Sequence, residues 1–69
     1  MTKPQKYRDV CKFLRAQGWE HIRMRGSHHI WSSEDRTMTI SIPVHGDTVK
    51  VGIVRQVQNA FNNTPSNWN

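Results

Sequence analysis

The chain is short of acids, of cysteine and of long apolar runs, and each shortage excludes a class of protein. Its five carboxylates, Asp9, Glu20, Glu34, Asp35 and Asp47, are scattered. No cluster among them can hold a catalytic Mg²⁺. The single cysteine, Cys11, cannot close an internal disulfide, which fits a reducing compartment. Four histidines and one cysteine do not follow structural zinc spacing, so neither metal nor cofactor is expected. No apolar run approaches the roughly 20 residues of a membrane span. The opening MTKPQKYRDV lacks the apolar stretch of a secretion signal. A soluble, cytoplasmic protein is expected. At 69 residues the chain is also too short for a doubly wound nucleotide-binding sheet, and its core must be small.

What is abundant is positive charge. Ten Lys and Arg give a formal net charge of +5. Such a field draws in polyanions: nucleic acid, an anionic membrane surface or an acidic protein.

Periodicity predicts a helix from Pro4 to Gln17, with Tyr7, Val10, Cys11 and Leu14 on its apolar face. Thr2 and Gln5 have the spacing of a capping box, and Gly18 suits the helix end. Three strands follow. In 19–25 (WEHIRMR), Ile22 and Met24 alternate with His21, Arg23 and Arg25. Strand 28–33 (HHIWSS) follows the Gly26-Ser27 bend, and strand 37–42 (TMTISI) places Met38, Ile40 and Ile42 on one side. Residues 44–50 read as a loop. A second helix spans Val51 to Phe61, with Ile53, Val54, Val57 and Phe61 inward. The expected fold is α+β: α-β-β-β-α, a three-stranded antiparallel sheet with both helices on one face. The predicted core is Tyr7, Val10, Leu14, Ile22, Met24, Trp31, Ile40, Ile53, Val57 and Phe61. One domain is expected over residues 1–62 and a loose tail over 63–69 containing Pro65 and Trp68.

The chemistry concentrates in Arg23-Met24-Arg25-Gly26-Ser27-His28-His29-Ile30-Trp31 and in Pro43-Val44-His45. Here the chain resembles the HicA family of toxins. The shared pieces are Gly18-Trp19, Arg23, Gly26-Ser27-His28 with Trp31 three residues on, Pro43-x-His45, and Val49-x-x-Gly52 leading into the second helix. The resemblance runs from about Tyr7 to Phe61. It implies a fold like the double-stranded-RNA-binding domain, cleavage of messenger RNA, a catalytic histidine at His28, and neutralisation by a HicB-type antitoxin.

The chemistry has its own logic. RNA carries a nucleophile, the 2′-hydroxyl, and an imidazole titrates near neutrality, so it can take that proton or protonate the leaving 5′-oxygen. Arginine can stabilise the charge that builds on phosphorus oxygens. If Ile22, Met24, Met38 and Ile40 define the buried face, Trp31 joins them, and alternation turns His29 inward and His28 outward; Ile30 then points out, which argues the other way. Ser27, His29 and His45 are accessory candidates. His45 suits a second acid–base group, a phosphate contact or a loop-closing hydrogen bond. Arg23, Arg25, Lys50 and Arg55 are candidate RNA-phosphate contacts. Two other functions fit the charge: an RNA-binding module without catalysis, and an interaction protein whose basic face meets an acidic partner.

Overall fold

The computed structural model describes residues 1–69. The chain begins extended. Thr2 Oγ1 donates to Gln58 Oε1 at 2.7 Å, and the two-residue strand β1 (Gln5–Lys6) follows. Helix α1 (Tyr7–Ala16) starts three residues later than Pro4, and no side chain caps it. The expected capping box does not form, because Gln5 and Lys6 pair antiparallel with Val49 and Thr48 of β5 (Thr48–Val49). The Tyr7 amide donates to the Asp47 carbonyl at 2.7 Å instead. The helix end is as the sequence suggests. Gly18 takes φ +85°, its amide reaches Arg15 O at 3.0 Å, and the Trp19 amide reaches Leu14 O at 3.0 Å. That bond pair is the Schellman closure, and it needs the left-handed residue that glycine supplies.

Strands β2 (Glu20–Arg25), β3 (His28–Ser32) and β4 (Thr39–Pro43) form one antiparallel sheet with β3 in the centre. The β2–β3 hairpin turns on Gly26 and Ser27, closed by the Arg25–His28 pair. Gly26 has φ +60°, which suits the first position of a tight hairpin turn. The β3–β4 connection has no glycine. Asp35 Oδ1 ties it by accepting from Ser33 Oγ at 2.8 Å, Thr37 Oγ1 at 2.8 Å and the Thr37 amide at 3.1 Å. These bonds hold the Asp35 carboxyl below its ordinary pKa, the Thr37 hydroxyl contributing most.

Helix α2 (Val51–Ala60) and α1 cover the same sheet face, as the sequence implies. Val10, Leu14, Trp31, Ile42, Val49, Val54 and Val57 are sealed from solvent. Tyr7, Ile40, Ile53 and Phe61 pack at the rim of this core. Three side chains expected inside are not. Ile22 and Met24 of β2 are 36% and 57% exposed, and Met38 is 55% exposed. The reason at Ile22 is a bulge. His21 pairs with Trp31 and Arg23 with Ile30, so Ile22 is an extra residue and the alternation slips there. Met24 keeps the helix-facing register opposite His29 and is exposed because β2 is an edge strand, none of whose residues is covered. Met38 precedes β4 and belongs to the turn, where Ser33 Oγ accepts from its amide at 3.1 Å.

The terminal segment expected as a loose tail reaches the core. Ser66–Trp68 forms a 3-10 turn, and Trp68 is only 2% exposed. Its ring meets Phe13 edge-on at 5.4 Å, and its carbonyl accepts the Lys3 amide at 2.7 Å. Phe13, absent from the expected core, is buried because this tryptophan and Phe61 enclose it.

Candidate functional site

The helices leave one face of the sheet open, and the conspicuous imidazole stands there. Trp31 and His29 on β3 face the helices with Ile40 and Ile42 on β4, whereas His28 and Ile30 face away. Two cross-strand rows result: Arg25–His28–Pro43 and Arg23–Ile30–Ser41. Both arginines predicted beside His28 lie on its face. His28 is exposed, and its Nδ1 lies 3.2 Å from Ser41 Oγ on the diagonal between the rows. Nε2 makes no hydrogen bond within the chain. None of the ion pairs, Lys6–Asp47, Arg8–Asp9 and Arg36–Glu20, involves Arg23 or Arg25. The two guanidinium groups on this face are thus in no ion pair within the chain.

His29 occupies a different environment. Its ring stacks on Tyr7 with centroids 4.4 Å apart, and its Nδ1 is 3.0 Å from His21 Nε2. Burial, and secondarily the neighbouring His21, pushes the His29 pKa below its ordinary value. Tyr7 in turn accepts a hydrogen bond from Trp31 Nε1 at 3.1 Å. Burial drives its phenol pKa strongly upward, so the hydroxyl stays protonated. The Arg15 guanidinium lies over the Trp31 ring, 5.4 Å from its centroid. His21 was expected on the outer face with Arg23. The bulge at Ile22 brings it inward, against His29 and Trp31.

The remaining candidates are dispersed. Ser27 contributes its carbonyl, which accepts the Val44 amide at 3.0 Å and fastens the hairpin bend to the Pro43–His45 segment. His45 pairs through its backbone with Thr48 in both directions at 3.0 Å, closing a tight turn, and its exposed ring bonds to nothing in the chain. Lys50 precedes α2. Arg55 is exposed on α2, whose Val54 and Val57 pack toward the core, so it lies on the helix side of the domain and not beside His28. Ser41 is the site residue that sequence reasoning passed over. Its signal was present in the alternation of TMTISI, which puts Ser41 opposite Ile40 and Ile42. No three metal-binding side chains gather anywhere in the chain, and no helix is long and apolar enough to cross a membrane.

The family model described as HicA toxin of bacterial toxin-antitoxin matches residues 7–61, a span that contains every element from α1 to α2. This defines the class: the chain is a toxin of a toxin–antitoxin system. It belongs to the HicA toxin family. Comparison with curated proteins and with solved structures returns no match.

Proposed function

We propose that this toxin is an endoribonuclease that cleaves messenger RNA without a metal, using His28 as its proton-transfer group. The observation that carries the reading is the open row on the sheet: an exposed imidazole whose register partner is Arg25, with Arg23 one row away. A phosphodiester laid on this row meets a base and two cations at once. His28 takes the proton of the 2′-hydroxyl, the 2′-oxygen attacks phosphorus, and the bond from phosphorus to the 5′-oxygen breaks. The departing oxygen receives a proton from the imidazolium or from water. Arg23 and Arg25 oppose the charge on the phosphoryl oxygens. The products are a 2′,3′-cyclic phosphate and a 5′-hydroxyl. DNA, lacking the nucleophile, is not cut.

The family supports an antitoxin partner, and on this reading the partner is of the HicB type. The simplest inhibition is to cover His28 with a surface that answers the net charge of +5, so an acidic contact face is expected. The test is incubation of the purified chain with a messenger RNA, with and without EDTA, beside His28→Ala. The reading requires cleavage that EDTA spares, that His28→Ala abolishes, and that a 2′-O-methyl group at the scission site blocks. RNA binding that persists without any cleavage by the native chain would leave a binding module in its place.

A further inference from the structure

His28 has one side-chain partner in the fold, and it is a hydroxyl. Ser41 Oγ lies 3.2 Å from Nδ1 and makes no other side-chain bond. Its position is held by the ladder, because Ser41 is the register partner of Ile30 at the centre of the β3–β4 pair. From these contacts we infer that Ser41 is a positioning residue for His28: it accepts a hydrogen bond from Nδ1–H and leaves Nε2 as the nitrogen that exchanges protons with RNA. The inference rests on the ribonuclease reading above.

The argument concerns what each nitrogen can do. In neutral imidazole one nitrogen carries the proton and the other the lone pair. A base that attacks through Nε2 must therefore keep its proton on Nδ1, yet free histidine in water prefers the opposite arrangement. An acceptor beside Nδ1 reverses that preference. Ser41 also suits both halves of the reaction. In the imidazolium form Nδ1 still carries its proton and still donates to Oγ, so the ring is not released when Nε2 takes the proton of the 2′-hydroxyl. The contact at Nδ1 is therefore the same in the neutral and the protonated ring. The same contact limits ring rotation, which fixes the direction in which Nε2 points across the Arg25–His28–Pro43 row. A hydroxyl does this without adding a negative charge to a face meant for phosphate.

The experiment has two readouts on the full chain. The first is long-range ¹H–¹⁵N NMR of the His28 ring in its neutral form. The native chain should show the Nδ1–H tautomer, and Ser41→Ala should shift it toward Nε2–H. The second is cleavage. A single neutral hydrogen bond corresponds to roughly a three- to tenfold effect, so Ser41→Ala should lower kcat by about that factor with KM little changed. Ser41→Thr, which keeps the hydroxyl on a residue suited to strands, should restore both tautomer and rate. The inference is overturned if the native ring is already Nε2–H, or if Ser41→Ala changes neither tautomer nor kcat while His28→Ala is inactive. If His28→Ala cleaves as the native chain does, the ribonuclease reading itself falls and takes this role of Ser41 with it.

Discussion

Residues 28 and 29 are both histidine, and the central strand turns them to opposite sides of one sheet. His29 lies under α1, stacked on Tyr7, bonded to His21 and partly withdrawn from water. His28 lies on the uncovered side, bonded only to a serine and flanked by Arg25. The two rings are chemically identical, so the difference between them is entirely environmental. On the helix side the surroundings favour a neutral ring that packs. On the open side they leave one nitrogen free and supply positive charge nearby. A Gly-Ser-His-His stretch therefore holds one histidine in the packed layer and one on the open face, and the faces can be separated by substitution.

The largest effect belongs to the inner face. Trp31 is fully buried and donates to Tyr7. Trp31→Ala removes a large core side chain and leaves the phenol without its donor, at a cost of about 3–5 kcal/mol. A domain of this size has only about 3–10 kcal/mol to lose. Urea denaturation should show most of its stability gone, with RNA cleavage lost only because the fold is lost.

His28→Ala should do the reverse. The side chain is exposed, so unfolding free energy should move by no more than about 0.5 kcal/mol. Cleavage should fall by about 10²- to 10⁴-fold, the usual cost of removing an acid–base group. An equal loss of activity from His29→Ala, at unchanged stability, would mean that the inner ring and not the outer one reaches RNA.

A smaller effect tests the inner histidine by pH. Its pKa lies below the ordinary 6.5 because burial, and then His21, disfavour the charged ring. The unfolded chain binds a proton at His29 as pH falls through about 6.5, while the folded chain resists it. Stability from this source is thus complete above about pH 6.5 and is lost as pH drops toward the lower folded-state value. The thermal midpoint of the native chain should fall on going from about pH 7.5 to about pH 5.5. In His29→Gln the fall should be shallower. In His21→Ala it should be only partly reduced, since burial is the first cause and His21 the second.

The difference between the faces was partly legible in the sequence. Alternation in TMTISI placed Ile40 and Ile42 on the covered side, and the same parity carried to β3 turned His28 outward. Helix periodicity found Val10, Leu14, Val54 and Val57, because amphipathic spacing is a local property. What failed depended on pairing and packing that local periodicity does not carry. The bulge at Ile22 follows from how β2 meets β3, and period-2 reasoning cannot register an inserted residue, so His21 was placed on the wrong side. The β1 and β5 strands have two residues each, too few to show any period. Trp68 is separated from Phe13 by most of the chain, and nothing in NNTPSNWN reveals that its indole closes the core. The positive charges failed in another way. Composition counted them correctly but could not say which of them share a face.

That last gap gives the smallest and most discriminating measurement. Arg25 is the register partner of His28, whereas Arg55 stands on the outer side of α2. If RNA lies on the open face, only the first is within reach of a phosphate beside the scissile bond. Binding can be followed by anisotropy of a labelled RNA in the His28→Ala background, where the RNA stays intact, over a series of salt concentrations. Each phosphate contact to a single strand contributes about 0.7 to the slope of log affinity against log salt. Arg25→Ala should reduce the slope by about that amount and weaken binding by a similar factor for any sequence. Arg55→Ala should leave the slope unchanged, and Lys50→Ala, at the start of α2, should fall between them. Equal losses from Arg25 and Arg55 would show that RNA wraps onto the helix layer. The open face would then hold the reacting phosphate while the rest of the strand is bound elsewhere, and the number of contacts read from the total slope would have to exceed what one sheet face can supply.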